Sequence, residues 1–481
     1  MLRFRLGAAP LVAAVLLSPG CNGGSLTPAA NLSTNAPVLS RPSFALRGLA
    51  SGKIQHVVII VQENRSLNNL FYDFPGAHTV KFGYDHHNHQ IVLKPIGLST
   101  GWDLAHESDG YYAACHGVGG IIGTDCRMNG FDREYVSCNQ PGMPPCPIKH
   151  PQYAFVPHNE TKPYFDMAAQ YVLADQMFAS NFDASSYVSH QYIIAGRAAA
   201  ATNYPYNWWG CPGGASDKIQ TILKNPPRSL GAQVPVCFNY RTLGDELDDA
   251  GLSWAFYAGK IGQSPPSPCR GGASDTSPDY SQGNGIWSAY QAVKHICYGP
   301  DWKRNVISPQ TQFFTDIKQG KFRTVTWIVP TCKNSDHAGC YSDTGPSWVS
   351  ALVNAIGKSG FWSTTAIFIF WDDYGGWYDP EPPAYVDYDG LGFRLPLLII
   401  SPYAKRGHVS HVQYEHGSIL KFVEDQFGLG RLAASDTRAN SPENDCFDFS
   451  QPPRKFVPIK APYNLNYFMR QPLDPRTPDS E

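Results

Sequence analysis

Charge is what this chain has least of. Of its 481 residues only 16% are Asp, Glu, Lys or Arg, and 38 basic side chains against 40 acidic ones leave a net charge of −2. No basic field exists to hold a nucleic-acid backbone, so that class of partner is excluded. No C-x-x-C pair occurs among the 12 cysteines, which argues against a structural zinc cluster. Beyond the N-terminal segment no run is long and apolar enough to cross a bilayer, and no internal repeat is present. Aromatic residues, by contrast, make up 13% of the chain, alongside 44 Gly and 40 Pro. That mixture fits a loop-rich α/β enzyme better than a helical bundle, and the length allows a large core.

Residues 1–21 read as an export signal. Arg3 and Arg5 precede a short apolar core, Leu11-Val12-Ala13-Ala14-Val15-Leu16-Leu17. Leu17-Ser18-Pro19-Gly20-Cys21 resembles a bacterial lipobox, with Ser18 where an aliphatic residue is usual. Secretion and a lipid anchor at Cys21 both stay open, and the predicted location is the periplasm, cell envelope or exterior. Residues 22–52 are expected to form a polar linker, 53–450 the main domain and 451–481 a Pro-rich, irregular tail. The cysteines agree with export, because they fall in close neighbours: Cys115 with Cys126, Cys138 with Cys146, Cys211 with Cys237, Cys269 with Cys297, and Cys332 with Cys340. Local disulfides in an oxidising compartment are expected, although sequence cannot fix connectivity, and Cys446 is left over.

Hydrophobic patterning predicts strands at His56–Gln62, Arg323–Val329, Thr365–Phe370 and Leu395–Ile400. Helices are predicted at Lys162–Met177, His190–Ala200, Ser347–Gly357 and Gly417–Phe427. Leu243–Ala250 and Ser253–Tyr257 suggest a helix followed by a strand inside an insert-like region, Thr202 to Pro309. Tyr72 to Pro157 reads as long loops over the sheet face. The β/α alternation argues for a sheet covered by helices on both faces.

Two predicted strands end in hard oxygen ligands. Thr365–Phe370 runs into Trp371-Asp372-Asp373-Tyr374-Gly375-Gly376-Trp377-Tyr378-Asp379, and His56–Gln62 runs into Glu63-Asn64-Arg65-Ser66. Adjacent carboxylates at a buried strand end are costly unless a cation or proton neutralises them. Either pair alone is more often a surface loop or a helix cap. Two together at carboxyl ends, where α/β sheets place their chemistry, point to one divalent or similarly hard metal ion.

Those segments resemble a known family. Val61 to Ser66 is similar to the E-N-[RH]-S-[FL] opening of the bacterial phosphoesterases that comprise phospholipases C and acid phosphatases, and Trp371 to Asp379 to their D-[DE]-x-G-G-[FW]-Y-D element. Ala174-Asp175-Gln176-Met177-Phe178 resembles the approach to the family's nucleophile. Tyr403 and Tyr414-Glu415-His416-Gly417-Ser418-Ile419-Leu420 resemble its closing segments. The resemblance spans roughly residues 54 to 430. It implies an alkaline-phosphatase-like three-layer α/β/α sandwich around a mixed, mostly parallel sheet, with long disulfide-bearing loops. It also implies a hydrolase in which Glu63, Asn64, Asp372 and Asp373 hold the metal.

Counting back from Gly196 through Ala184-Ser185-Ser186-Tyr187 places Ser186 at the nucleophile position, with Ser185 as the fallback. A serine before a helix is more commonly an N-cap, and Ser189, His190 and Gln191 depart from the family's Pro-Asn-Arg. His106 in Asp103-Leu104-Ala105-His106, Asn129 in Met128-Asn129-Gly130-Phe131 and His337 in Ser335-Asp336-His337 match family elements that bind phosphoryl oxygens or protonate the leaving group. His416 reads equally as a helix-start residue or a further site member, and His86-His87-Asn88-His89 as a solvated loop. Serine at the nucleophile position and Pro380 after Tyr378-Asp379 lean towards an acid phosphatase working through a phosphoserine intermediate. A phospholipase C acting on phosphatidylcholine-type lipids is the alternative. A non-catalytic, ligand-binding surface lipoprotein is the remote one. The expected partner is thus a small phosphoester or a phospholipid.

Overall fold

The structure, a computed structural model, describes residues 52–138, 140–183, 185–205, 209–225, 227–261, 269, 285–286, 288–474 and 476. Up to residue 51, the segments expected to be an export signal, with Cys21, and a linker lie outside the described residues, as does Ala184. Among the described residues nine strands make the central sheet: β1 His56–Gln62, β2 Val172–Phe178, β3 Trp254–Tyr257, β4 Val306–Ile307, β5 Val325–Ile328, β6 Thr365–Trp371, β7 Arg394–Ile400, β8 His408–Ser410 and β9 Tyr414–Glu415. Their order is β4-β3-β5-β1-β6-β7-β2-β8, with β9 also pairing β2. All pairs are parallel except those that β7 makes with β6 and β2, so β7 alone runs against the rest.

β1 and β6 are buried along their lengths, as strands covered on both faces must be. Alternation along β6 assigns the two faces. Phe368 and Phe370 turn towards helix His416–Phe427, with Phe422 at 4.9 Å and His416 at 5.5 Å between ring centres. Trp371 turns the other way, onto Tyr164 of helix His158–Gln170 at 5.0 Å. Helix on one side, sheet, helix on the other is the three-layer α/β/α arrangement expected from the sequence.

Several predicted elements shift. The helix expected over Lys162–Met177 ends at Gln170, and β2 begins two residues later. Tyr171, at φ −133° and ψ −136°, leaves the helical region there. A short apolar run does not distinguish a buried strand from a buried helix, and β7 and β8 supply the pairing that makes this one a strand. The helix expected from His190 begins at Ser186 and closes on Gly196, whose φ of +65° makes a left-handed cap. The insert-like region contributes β3 and β4 to the sheet edge rather than standing apart. The tail, expected to be irregular, contains helix Leu465–Arg470 and packs on the body, with Phe468 against Trp348 at 5.3 Å. All five neighbouring cysteine pairs are disulfides, and Cys446 is a buried thiol.

Candidate active site

The parallel register of β1 and β6 sets Gln62 beside Trp371, so the residues that follow each strand emerge side by side. Asp372 donates its backbone N–H to the carbonyl of Gln62 at 3.0 Å, and Asn64 donates its own to Asp372 Oδ1 at 3.0 Å. Asn64 holds φ at +57°, a left-handed conformation that Asn tolerates better than most residues. The Gly-Gly turn exists to admit this close approach. A Cβ on Gly375, at φ +61°, would stand 2.1 Å from the carbonyl oxygen of Asn64.

Ser186 enters from the third carboxyl end, after β2, as the first residue of helix Ser186–Ala195. Its hydroxyl donates to Asp373 Oδ2 at 3.0 Å and receives Asn64 Nδ2 at 3.4 Å. Ser185 is turned elsewhere, its hydroxyl donating to the carbonyl of Asn203 at 2.6 Å. The N-terminal amides of the helix lie beside Ser186, where they favour an anion. His106 donates from Nδ1 to the carbonyl of Leu104 at 2.7 Å, which leaves Nε2 to accept from Asn64 Nδ2 at 2.6 Å.

Glu63 and Asp372 are fully buried and are joined by a residue the sequence reading missed, His190. Its Nε2 lies 3.4 Å from Glu63 Oε1 and 3.6 Å from Asp372 Oδ2, and the ligand atoms of the three residues all fall within 4.8 Å of one another. Burial, and then the charge of Glu63, pushes the Asp372 carboxyl up to about 7. Two buried carboxylates and an imidazole with that spacing fit a divalent ion, and they form a donor set better matched to zinc-like metals than oxygen alone. Asp373 and Asn64 are not in that triad but next to it, turned towards Ser186. His190 follows Ser186 by four residues, one helical turn, and that spacing was the available signal.

The remaining predicted residues divide. His337 stands with its ring 6.0 Å from that of His106, and its Nδ1 is 3.8 Å from Asp103 Oδ2. Asp336 beside it is structural: Tyr164 donates to Oδ2 at 2.7 Å and Trp371 Nε1 at 3.2 Å. Burial pushes its carboxyl up to about 6. Asn129 is hydrogen-bonded within its own loop region, its Oδ1 meeting His116 Nδ1 at 2.9 Å and its Nδ2 donating to Asn88 Oδ1 at 2.9 Å. His416 is both things the sequence allowed, a helix-start residue and a neighbour of the site. Burial, and then the nearby His190, pushes its imidazole down to about 3.

A model of the phosphoesterase family matches residues 54–430. Phospholipase C B of Mycobacterium tuberculosis is 24% identical over 469 residues, which cover 87% of this chain and 82% of that one. Non-specific phospholipase C1 of Arabidopsis thaliana is 24% identical, over 85% of this chain and 74% of the plant protein. Hemolytic phospholipase C of Pseudomonas aeruginosa is 22% identical, over 78% of this chain and 53% of its own length. Among solved structures, a protein in the alkaline phosphatase superfamily from Vibrio parahaemolyticus aligns with a TM-score of 0.30 and 13% identity, over 58% of this chain and 64% of that one.

Proposed function

The chain belongs to the phosphoesterase family and is a phosphoester hydrolase, and from that premise we propose that it is an exported phospholipase C that cleaves the glycerol–phosphate bond of a phospholipid. The observation that carries the chemistry is Ser186 Oγ, 3.0 Å from Asp373 Oδ2 at a helix N-terminus and next to the Glu63–His190–Asp372 triad. The phospholipases C that align along most of the chain favour a diester over the acid-phosphatase alternative.

Asp373 holds the Ser186 hydroxyl and is placed to take its proton as Oγ attacks phosphorus in line. A divalent ion held by Glu63, His190 and Asp372 would lower the serine pKa and neutralise phosphoryl oxygen charge. The helix amides and Asn64 Nδ2 bind the remaining oxygens. Diacylglycerol is a poor leaving group until its oxygen is protonated. His106, whose Nδ1 is pinned to Leu104, has Nε2 4.0 Å from Asp373 Oδ2 and relays to the leaving oxygen the proton Asp373 took from Ser186, with His337 and Asp103 behind it. Water then releases the headgroup phosphate from Ser186. In this reading residues 1–21 direct export, 22–52 tether, and 53–450 catalyse.

A second reading, phosphomonoester hydrolysis, rests on serine rather than threonine at position 186 and on Pro380. Hydrolysis of phosphatidylcholine, bis(p-nitrophenyl) phosphate and p-nitrophenyl phosphate by the mature protein separates the two. The lipid or diester is expected to exceed the monoester in kcat/KM by at least about tenfold. The reverse order would establish the phosphatase.

A further inference from the structure

Strand β2 carries a second group of metal-type ligands that the reaction does not use. Its sequence is Val172-Leu173-Ala174-Asp175-Gln176-Met177-Phe178, and Asp175 is fully buried in the middle of it. A carboxylate there costs stability unless something answers its charge. Both neighbouring strands break register at this point. On one side the pairing with β7 slips between Leu395 and Leu397, around Pro396. On the other, β8 ends at Ser410 and β9 resumes at Tyr414, so residues 411–413 leave the ladder. Irregularities of this kind re-aim side chains.

What they aim is two histidines. His411 sets Nδ1 2.9 Å from Asp175 Oδ1. His78 donates its backbone N–H to Asp175 Oδ2 at 2.8 Å, and its ring stacks on that of His411 at 4.8 Å with 15° between planes. Among the described residues neither ring nitrogen of His78 has a hydrogen bond. One ligand atom from each residue lies within 4.8 Å of the others, and both histidines are exposed, which gives an ion an entry path and leaves a position for water. The scaffold is rigid. The carbonyl of His78 accepts from Arg394 Nη2 at 2.8 Å, and the same guanidinium pairs with Asp379 at 3.0 Å and bonds the carbonyl of Asp175 at 3.1 Å.

We infer that His78, Asp175 and His411 form a second metal site, distinct from the triad at Ser186, that takes a zinc-class divalent ion through two imidazoles and one carboxylate. The ion displaces the proton now shared by His411 and Asp175 and draws in the His78 ring by a rotamer change. It ties the loop carrying His78 and the crossing from β8 to β9 onto β2. The site is a structural clasp, independent of the substrate assigned above.

The test uses the mature protein, stripped of metal, dialysed against Zn²⁺ and freed of loose ion by gel filtration. His78→Ala/His411→Ala, altered only at exposed positions, is expected to retain one equivalent of zinc fewer than the wild type. Asp372→Ala should keep that equivalent. In the Asp372→Ala background Zn²⁺ should raise Tm by several degrees, and adding the two histidine substitutions should abolish the rise. Equal zinc content in the wild type and the double variant, or a Tm rise that survives both substitutions, would overturn the proposal.

Discussion

Two adjacent serines have opposite surroundings, and that contrast makes the nucleophile assignment testable one hydroxyl at a time. Ser186 faces Asp373 and Asn64, whereas Ser185 faces a main-chain carbonyl. Ser186→Ala is expected to lower kcat by about three orders of magnitude or more, with folding intact. Ser185→Ala loses one hydrogen bond to Asn203, about 1 kcal/mol, and should keep most of the activity. Turnover of a phosphodiester by the two purified variants decides between them. A second residue carries a pH signature. Asp389 is buried, and desolvation followed by the charge of Asp183 pushes its carboxyl from 3.8 up to about 8. The folded chain therefore holds a proton there that the unfolded chain has released. Its contribution is full below about pH 4 and is lost as pH rises towards 8. Asn cannot titrate, so Asp389→Asn should gain on the wild type in Tm between pH 5 and 8. A Tm difference constant over that range would refute the assignment.

The site is assembled by elements that each contribute one end. β1 brings Glu63 and Asn64, β6 brings Asp372 and Asp373, and β2 leads to Ser186. The turn after β6 is the tightest join, since Gly375 passes against the backbone of Asn64. Gly375→Ala forces a positive φ on a residue with a Cβ and pushes Asn64 away. It should cost about 1–2 kcal/mol in stability. It should also lower kcat/KM by roughly a hundredfold, because Asn64, which holds Ser186 and binds a phosphoryl oxygen, is displaced. Urea unfolding and steady-state kinetics on one variant measure both. The same elements show what was legible beforehand. β1 and β6 are uninterrupted apolar runs, and their ends, with Glu63 and Asp372, are readable as a candidate metal site. β2 was misread as the end of a helix because Asp175 and Gln176 interrupt its pattern and its partners lie far away in sequence. His190 reads in the sequence as a departure from a motif, and only the helix starting at Ser186 makes it the residue one turn beyond that serine. Asn129 matched a motif, but its amide is engaged by His116 and Asn88.

At the scale of the whole molecule the cost of burying Glu63 and Asp372 together falls on the entire fold, because β1 and β6 sit at the centre of the sheet. Metal removal by a chelator is expected to abolish hydrolysis and to lower Tm, and restoring a divalent ion should reverse both. Activity and Tm unchanged after metal loss verified by elemental analysis would exclude the triad as the metal site. The five disulfides work at the opposite range. They close intervals of 11, 8, 26, 28 and 8 positions, all within single segments of the chain. The core does the reverse: Ser66 and Tyr378 are hydrogen-bonded across 312 positions. If it is exported as proposed, threaded from its N-terminus, the chain can therefore complete each bridge as that segment emerges, in order, with no partner still inside. The central sheet must wait for β6. On the export proposed above, crosslinking is a by-product of translocation order, and the catalytic crevice, which needs β1, β2 and β6 at once, is closed to chemistry until Asp372 and Asp373, just past β6, have left the cell interior.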